Sequence, residues 1–174
     1  MQSSSDTGSS TPKCAEAATT DRQEITPVDS RIIGFIKRHH VLTLATTIHD
    51  EPHCSSLFYA YLPQRNLFAV TSSDKTWHVE QLRQNSRVAA AVVLETKLVG
   101  KIQGLQIRGR MYRPVGEELA AAKKAYLLRF PYAAVMDPEM WVIAPDYLKL
   151  TDNRLGFGTK LLWEASPVKS EQTK

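Results

Sequence analysis

Hydroxyl and amino groups follow directly after a short apolar run at residues 67–70, in an order that could bind a phosphate group. The apolar run predicts a buried strand, and the pattern after it predicts a helix over residues 75–84. Backbone N–H groups at a helix start lack an intrahelical partner and carry about half a positive charge, so they can bind an anion. Lys75 adds a full charge, and Thr71 and Ser72 can add hydroxyl donors. A capped surface helix with a solvated lysine is the alternative interpretation.

The rest of the chain predicts strands with few helices. Apolar and alternating segments predict strands at residues 41–48, 55–62, 67–70, 88–94, 102–113, 141–143 with 147–150, and 157–163. Helices are predicted at residues 30–40, 75–84 and 116–130. Ser30 is expected to cap the first helix, and Ser72, Ser73 or Asp74 the second. This order predicts a mainly β protein with flanking helices (α+β), built as an antiparallel split β-barrel of six to seven strands.

Side-chain orientation can also be predicted from these patterns. The apolar run at 88–94 is continuous, which predicts burial on both of its faces. The segment 102–113 alternates, so Arg108 and Arg110 should share one polar face. The third helix is predicted to bury a stripe made of Leu119, Ala122, Tyr126, Leu127 and Phe130. Gly156 and Gly158 predict a bulge or a close backbone approach within the last strand.

Composition limits the number of domains. The chain has 174 residues, of which 43% are hydrophobic, and this predicts one folded domain over residues 29–165. Residues 1–28 are poor in apolar side chains, which predicts a disordered tail, and residues 166–174 are expected to be a flexible C-terminus. The tail carries a net charge of −2, so residues 29–174 carry +6. The basic residues are scattered along the chain, which makes nucleic-acid binding a minor alternative.

Compartment and redox state follow from what the sequence lacks. It has no apolar stretch of the roughly 20 residues that span a bilayer and no basic and hydrophobic blocks of a signal peptide. Its two cysteines, Cys14 and Cys54, suggest no disulfide framework. We therefore expect a cytoplasmic protein with reduced thiols.

One segment resembles a known superfamily. The sequence FAVTSSDKTWHVEQLRQNSRVAAAVVL, at residues 68–94, is similar to the phosphate-binding strand, helix and following strand of the pyridoxamine 5′-phosphate oxidase-like FMN-binding split barrels. The order of elements over residues 30–163 also follows that superfamily. RGRMYRPVGEE and TDNRLGFGTKLLW resemble a small bacterial branch of it.

The resemblance implies a homodimer with FMN bound in two clefts at the subunit interface, acting as a flavin-dependent oxidoreductase on a small molecule. Four residues match the superfamily's phosphate-binding positions, namely Thr71, Ser72, Lys75 and Thr76. Four on the second strand would present backbone and hydroxyl groups to the flavin edge, namely Ser55, Ser56, Leu57 and Phe58. Two features of the true oxidases have no counterpart here: a basic residue at the start of the second strand, and an arginine-containing segment at the C-terminus. Oxidation of vitamin B6 is therefore not expected.

Other residues allow further interpretations. Trp77 and Trp163 could stack on the isoalloxazine ring, or pack in the core or the dimer interface. His49, His53 and Cys54 have no second pair of ligands at a suitable spacing, so no metal site is expected. His39, His40 and His78 are expected at the surface. Ser55 and Ser56 lack the glycine-flanked elbow of a serine hydrolase. The alternative to an enzyme is a module that carries or senses flavin, haem or deazaflavin.

Overall fold

The computed structural model describes residues 27–166. The predicted N-terminal tail, apart from residues 27 and 28, lies outside this part of the chain. The predicted flexible C-terminus, apart from Ser166, lies outside it as well.

Seven antiparallel strands form one sheet that closes on itself. They are β1 (Val41–Ile48), β2 (Glu51–Leu62), β3 (Leu67–Thr71), β4 (Arg87–Leu94), β5 (Gln103–Tyr112), β6 (Met140–Asp152) and β7 (Lys160–Glu164). Their order is β3-β2-β1-β4-β5-β6-β7, and β3 also pairs with β6. Six strands therefore close a barrel, and β7 extends β6 outside the ring. This confirms the predicted fold class.

Three helices accompany the barrel: α1 (Ser30–Arg38), α2 (Trp77–Gln84) and α3 (Gly116–Arg129). None of those within residues 27–166 is both long and apolar enough to cross a bilayer. From α1, Ile32, Phe35 and Ile36 are fully buried in the barrel core. Each such side chain contributes about 1.5–3 kcal/mol through burial. The Tyr59 hydroxyl donates to the Ile36 carbonyl oxygen at 2.7 Å, which ties α1 to β2.

The helix α3 covers the opposite side of the sheet and forms a second, smaller core. Its Ala122 and Tyr126, followed by Phe130, pack with Ala69 of β3 and Val142 of β6. The predicted apolar stripe is confirmed for these three side chains of the α3 segment. It is wrong for Leu119, which is exposed because it lies in the first turn, beyond the edge of the sheet contact.

Strand β4 differs from its prediction. Its burial alternates: Val88 and Val92 face the core, whereas Ala89 and Val93 face outward, Val93 with 65% of its surface exposed. The prediction that β4 is buried on both faces was wrong. Its outward residues are apolar, either small or β-branched, but they lie on an uncovered face of the barrel. Strand β5 alternates as predicted, with Arg108 and Arg110 on its exposed face.

The β1–β2 hairpin is tighter than predicted. Strand β2 begins at Glu51 rather than at Ser55, and Ile48 pairs with Glu51. The turn is therefore only His49 and Asp50, both at positive φ (49° and 63°). Two left-handed residues are typical of the two-residue turns whose twist matches a hairpin. The predicted start of the second strand at residue 55 was wrong because Pro52 does not interrupt the strand: it lies within the first turn-proximal residues of β2.

The last two strands also differ from prediction. The two segments around residues 141–150 form one strand, β6, which passes through Pro145 at a bulge where Gly109 pairs with Pro145 and Arg108 with Tyr147. A bulge accommodates a proline because no ladder hydrogen bond is needed there. Phe157 lies in the turn before β7, since Gly156 and Gly158 adopt φ values of +125° and +75°. The predicted strand start at residue 157 was therefore wrong.

The cap of α1 gives a first testable prediction. Asp29, not Ser30, occupies the cap position, and its carboxylate accepts from the Arg31 backbone N–H at 2.8 Å. We expect Asp29→Ala to lower the free energy of unfolding by about 1 kcal/mol, measured by urea denaturation at pH 7. Ser30→Ala is the matched control and should change it little. An equal loss in both variants would contradict this assignment.

The same carboxylate gives the pH dependence of this effect. Hydrogen bonds from the Arg31 side chain and backbone lower the pKa of Asp29 from 3.8 to about 2. A lowered carboxyl pKa stabilises the fold above the ordinary pKa, and this contribution is lost as the pH falls through the folded-state value. The difference between Asp29→Ala and the wild type should therefore shrink as the pH is lowered from 4 to 2.

Candidate functional site

The predicted phosphate-binding residues lie in the loop between β3 and α2, which we call the β3–α2 loop (residues 72–76). Strand β3 ends at Thr71, and α2 begins at Trp77 after a cap position at Thr76 that makes no side-chain cap bond. The predicted caps Ser72, Ser73 and Asp74 were therefore wrong. Helix α2 is placed by its buried inner face, where Gln81 accepts a hydrogen bond from Thr46 of β1 at 2.5 Å.

Part of the backbone of this loop is bonded within the protein. The Ser72 N–H donates to the Glu139 carbonyl at 3.2 Å, and the Asp74 N–H donates to the Glu139 carboxylate at 2.9 Å. The Lys75 N–H donates to the Ser73 hydroxyl at 3.3 Å, and the Thr76 N–H to the Ser73 carbonyl at 3.1 Å. These four amides hold the loop in shape and are not free for a ligand.

Three other amides remain available at the start of α2. Within residues 27–166, the backbone N–H groups of Ser73, Trp77 and His78 have no hydrogen-bond partner. Lys75 is exposed and, in the same part of the chain, makes no ion pair. The helix start therefore offers unpaired donors and one free ammonium group, which is the arrangement that binds anions.

A buried histidine joins the two predicted binding segments. His78 of α2 is only 5% exposed. Its Nδ1 lies 3.1 Å from the Ser55 hydroxyl of β2, and its Nε2 lies 2.6 Å from the Ser72 hydroxyl and 3.2 Å from that of Thr76. The structure thus places a predicted flavin-edge residue beside two predicted phosphate-binding residues. Burial and the neighbouring His53 lower the pKa of His78 below its ordinary 6.5, which favours the neutral ring.

The surface position predicted for His78 was wrong. Its neighbours Val79 and Leu82 on the same helix are buried too. The spacing of residues 78, 79 and 82 corresponds to one face of a helix. That periodicity was the signal in the sequence that could have identified a buried histidine.

The four predicted residues of β2 do not form one side-chain surface. Ser55 and Leu57 point inward and are partly buried, whereas Ser56 and Phe58 point outward, as the two-residue period of a strand requires. Phe58 is 49% exposed and makes an edge contact with the Phe130 ring, with centroids 5.3 Å apart.

The backbone edge of β2 is open beside the β3–α2 loop. Strand β2 pairs with β1 along residues 51–58 and beyond, but with β3 only along residues 59–62. Among the described residues, one edge of residues 51–58 therefore has no strand partner. The backbone N–H and C=O groups along such an edge have no strand partner. A planar ligand with hydrogen-bonding groups along its rim can therefore bind there.

The remaining predicted residues lie at the margins of the site. The Thr71 hydroxyl donates to the Tyr126 hydroxyl of α3 at 3.3 Å. Trp77 is 54% exposed and so presents apolar ring area to solvent, whereas Trp163 is buried in the main core. Trp77 is therefore the tryptophan that can reach a ligand at the helix start.

Ionic contacts that were not predicted from the sequence also hold the β3–α2 loop in place. Arg113, just after β5, pairs with the carboxylates of Asp74 and Glu139, the latter at 3.3 Å. Its guanidinium lies 4.9 Å from the centre of the Trp141 ring, and Trp141 donates to the Ser72 carbonyl at 3.2 Å. These partners are distant in sequence, so no local pattern could have revealed them.

Other candidate residues lie elsewhere. Arg108 lies 3.3 Å from Asp146, which also pairs with Arg87 at 2.5 Å, and Arg110 donates to the Ser86 hydroxyl. These arginines belong to the outer face of the sheet. Within residues 27–166, no group of three or more histidine, cysteine or acidic side chains is arranged to hold a metal ion.

Comparison with solved structures defines the class of the fold. The chain is similar to a haem-binding protein from Mycobacterium smegmatis (TM-score 0.63, 24% identity, 74% of this chain and 54% of that one). It is also similar to a FAD-binding protein from Mesorhizobium loti (TM-score 0.59, 15% identity, 70% and 90%). A third neighbour is a candidate pyridoxamine 5′-phosphate oxidase from Listeria innocua (TM-score 0.54, 16% identity, 70% and 95%). The protein therefore has the split-barrel fold of these neighbours.

Sequence comparison gives the family. The chain is 37% identical over 139 residues to a UPF0306 protein of Citrobacter koseri, covering 80% of this chain and 95% of that one. It is 38% identical over 132 residues to the UPF0306 protein YhbP of Salmonella arizonae, covering 76% and 90%. The chain belongs to the UPF0306 family. No family model matches it.

Proposed function

We propose that this protein binds FMN and acts as a flavin-dependent oxidoreductase on a small molecule. The observation that carries the proposal is the contact of His78 with Ser55 on one side and with Ser72 and Thr76 on the other. These contacts bring the open edge of β2 and the start of α2 next to each other, which supports their use as two parts of one site. The FAD-binding and haem-binding neighbours have the same fold and support a planar cofactor.

The phosphate of FMN is assigned to the start of α2. There it would accept from the free amides of Ser73, Trp77 and His78, and Lys75 would add a full positive charge. The nearby carboxylates of Asp74 and Glu139 do not oppose this, because Arg113 pairs with both.

The isoalloxazine ring is assigned to the open edge of residues 51–58. Unpaired backbone groups there, including those of Ser56, would bond the polar rim of the ring, and Trp77 would shield its apolar part. When bound, FMN would supply the electron or hydride transfer. The protein's own residues bind and orient it, and no side chain of the site is assigned a catalytic role.

We also propose that two copies of the chain associate through the outer face of β1, β2 and β4. Register places Thr43 beside Ser56 and Ala91, and Ala45 beside Ala89. The rim of this face includes Phe58 and Val93, which are exposed by 49% and 65%. A continuous face of small and apolar side chains is characteristic of a surface that a partner covers. A second copy would also close the clefts beside β2.

Titration of the full chain with FMN and with riboflavin tests the cofactor proposal. We expect FMN to bind more tightly, because riboflavin lacks the phosphate. Lys75→Ala and Ser72→Ala should each weaken FMN binding by about 1–3 kcal/mol per lost charged hydrogen bond, with little change for riboflavin. Lys101→Ala, an exposed lysine on another loop, is the matched control. Unchanged FMN affinity in both site variants would refute the phosphate assignment.

Two further measurements separate an enzyme from a carrier or sensor. Oxidation of NADH or NADPH by the FMN-loaded protein, with an electron acceptor present, would support an oxidoreductase. Binding of FMN without turnover would support a non-enzymatic flavin module. Titrations with haem and with a deazaflavin follow from the haem-binding neighbour, and tighter binding of either than of FMN would replace the cofactor assignment.

A further inference from the structure

The His78 ring controls which way the hydroxyl hydrogens of the site can point. A neutral imidazole has one N–H donor and one bare nitrogen acceptor. Here each nitrogen faces a hydroxyl: Nδ1 faces Ser55 at 3.1 Å, and Nε2 faces Ser72 at 2.6 Å. The position of the ring proton therefore determines whether each serine donates to the ring or accepts from it.

Thr76 limits the alternatives. Its hydroxyl donates to the Ser73 carbonyl at 2.8 Å, so its single hydrogen is already used. Its oxygen can still accept, and both Ser72 at 3.1 Å and His78 Nε2 at 3.2 Å lie within reach. Thr76 therefore cannot donate to Nε2. The hydrogen in the short contact between Ser72 and His78 must come from Ser72 or from Nε2.

These two cases differ in what Ser72 offers a ligand. If Nε2 is bare, the Ser72 hydroxyl donates into the ring and turns only lone pairs outward, which repel an anion. If Nε2 carries the proton, it donates to Ser72, and the hydrogen of Ser72, which otherwise points to the Thr76 oxygen, can turn to a phosphate oxygen. In that case Nδ1 accepts from Ser55.

We propose that His78 is a positioning residue that carries its proton on Nε2 and thereby holds Ser72 as a donor to a bound phosphate group. This inference rests on the proposed FMN site and assigns a role to a residue outside the predicted binding set. A phosphate beside Ser72 also favours the doubly protonated ring, so that anion binding and proton uptake by His78 are coupled.

The charged surroundings of His78 make this coupling measurable. From β2, His53 stacks beside it with ring centroids 6.4 Å apart, and this neighbouring imidazole disfavours protonation of His78. The other groups that contact the ring, on β2 and in the β3–α2 loop, are the neutral hydroxyls of Ser55, Ser72 and Thr76. On β1, Thr46 bonds Gln81 rather than the imidazole. A bound phosphate would therefore add the negative charge that this environment lacks.

The test compares His78→Gln with His78→Asn in the full chain. A glutamine amide can place a donor near the Nε2 position, whereas the shorter asparagine reaches only the Nδ1 position. We expect His78→Gln to bind FMN within about threefold of wild type and His78→Asn to bind about tenfold or more weakly. Riboflavin affinity should be similar in all three proteins, and urea unfolding verifies that both variants are folded.

The pH profile and the ring nitrogens give readouts that a merely structural role would not change. Wild-type FMN affinity should rise more steeply between pH 8 and 6 than that of either variant. The titration of the FMN phosphate is common to all three proteins, so it does not cause a difference in slope. In nitrogen-15 spectra of the wild type, the neutral His78 ring should carry its proton on Nε2, and inorganic phosphate should raise the pKa of the ring.

Each outcome has a definite meaning. If the wild type binds FMN but both variants match it in affinity and pH slope, the role of His78 is refuted and the FMN site stands. The same holds if phosphate leaves the His78 signals unchanged while FMN binds. If the wild type does not bind FMN at all, the proposed function fails and this inference fails with it.

Discussion

Replacing Ala89 with arginine should convert the proposed dimer to a monomer. Ala89 points outward from β4 and lies beside Ala45 of β1, on the β4 side of the proposed contact face. In a symmetric dimer the substitution places two further guanidinium groups in that face, each beside Arg108 of its own chain. Burying an unpaired charge costs several kcal/mol, which corresponds to a loss of at least about a hundredfold in dimer affinity. Sedimentation equilibrium of both proteins measures this change.

The control for this substitution is Ala120→Arg. Ala120 is exposed on the outer side of α3, so the same change in charge and volume there should leave the oligomeric state unaffected. Both variants should be as stable as the wild-type monomer, because neither position is buried within a single chain. A monomeric wild-type protein, or a dimeric Ala89→Arg variant, would refute the proposed contact face.

The two proposals are linked, and the link can be measured. If the partner copy closes the cleft beside β2, monomeric Ala89→Arg should also lose FMN affinity, although the residue is not in the phosphate-binding loop. Retained affinity in a monomer would show that one chain suffices to hold the cofactor. The same pair of variants therefore tests the dimer face through the oligomeric state and its link to the FMN site through FMN affinity.

The sequence was sufficient for elements whose signal is local. The ends of strands β1 and β5 and of helix α3 were predicted to within about one residue. Alternation and helical spacing depend only on neighbouring residues. The β3–α2 junction was predicted to within two residues, since α2 begins at Trp77 rather than at residue 75. Thr71, Ser72, Lys75 and Thr76 therefore lie together as an expected consequence of chain order.

The errors arose where the outcome depends on distant partners. The outward residues of β4 were predicted as core because an apolar side chain looks the same in the sequence whether it points into the barrel or out of it. His78 looked like a surface residue because its three hydroxyl partners come from β2 and the loop. The contacts of Arg113 with Asp74 and Glu139 span 39 and 26 residues. Such contacts are fixed by topology, not by sequence pattern.

The bulge in β6 depends on a single glycine, and Gly109→Ala should therefore destabilise the fold strongly. A Cβ atom at this position would lie 2.2 Å from the Ala144 carbonyl oxygen and 2.8 Å from the Pro145 Cα. Both are backbone atoms, so the β5–β6 pairing itself must shift. We expect a loss of about 3 kcal/mol or more in the free energy of unfolding, measured by urea denaturation.

Gly104→Ala is the control for this prediction, because it makes the same change in the same strand. Its Cβ would meet only the Val92 carbonyl at 3.9 Å, an ordinary contact, so stability should change by less than about 1 kcal/mol in either direction. The bulge also aims Asp146 at Arg87 and Arg108. Equal stability of the two variants would mean that the strands separate at residue 109 without cost, and the close approach of β5 to β6 would then not constrain the barrel.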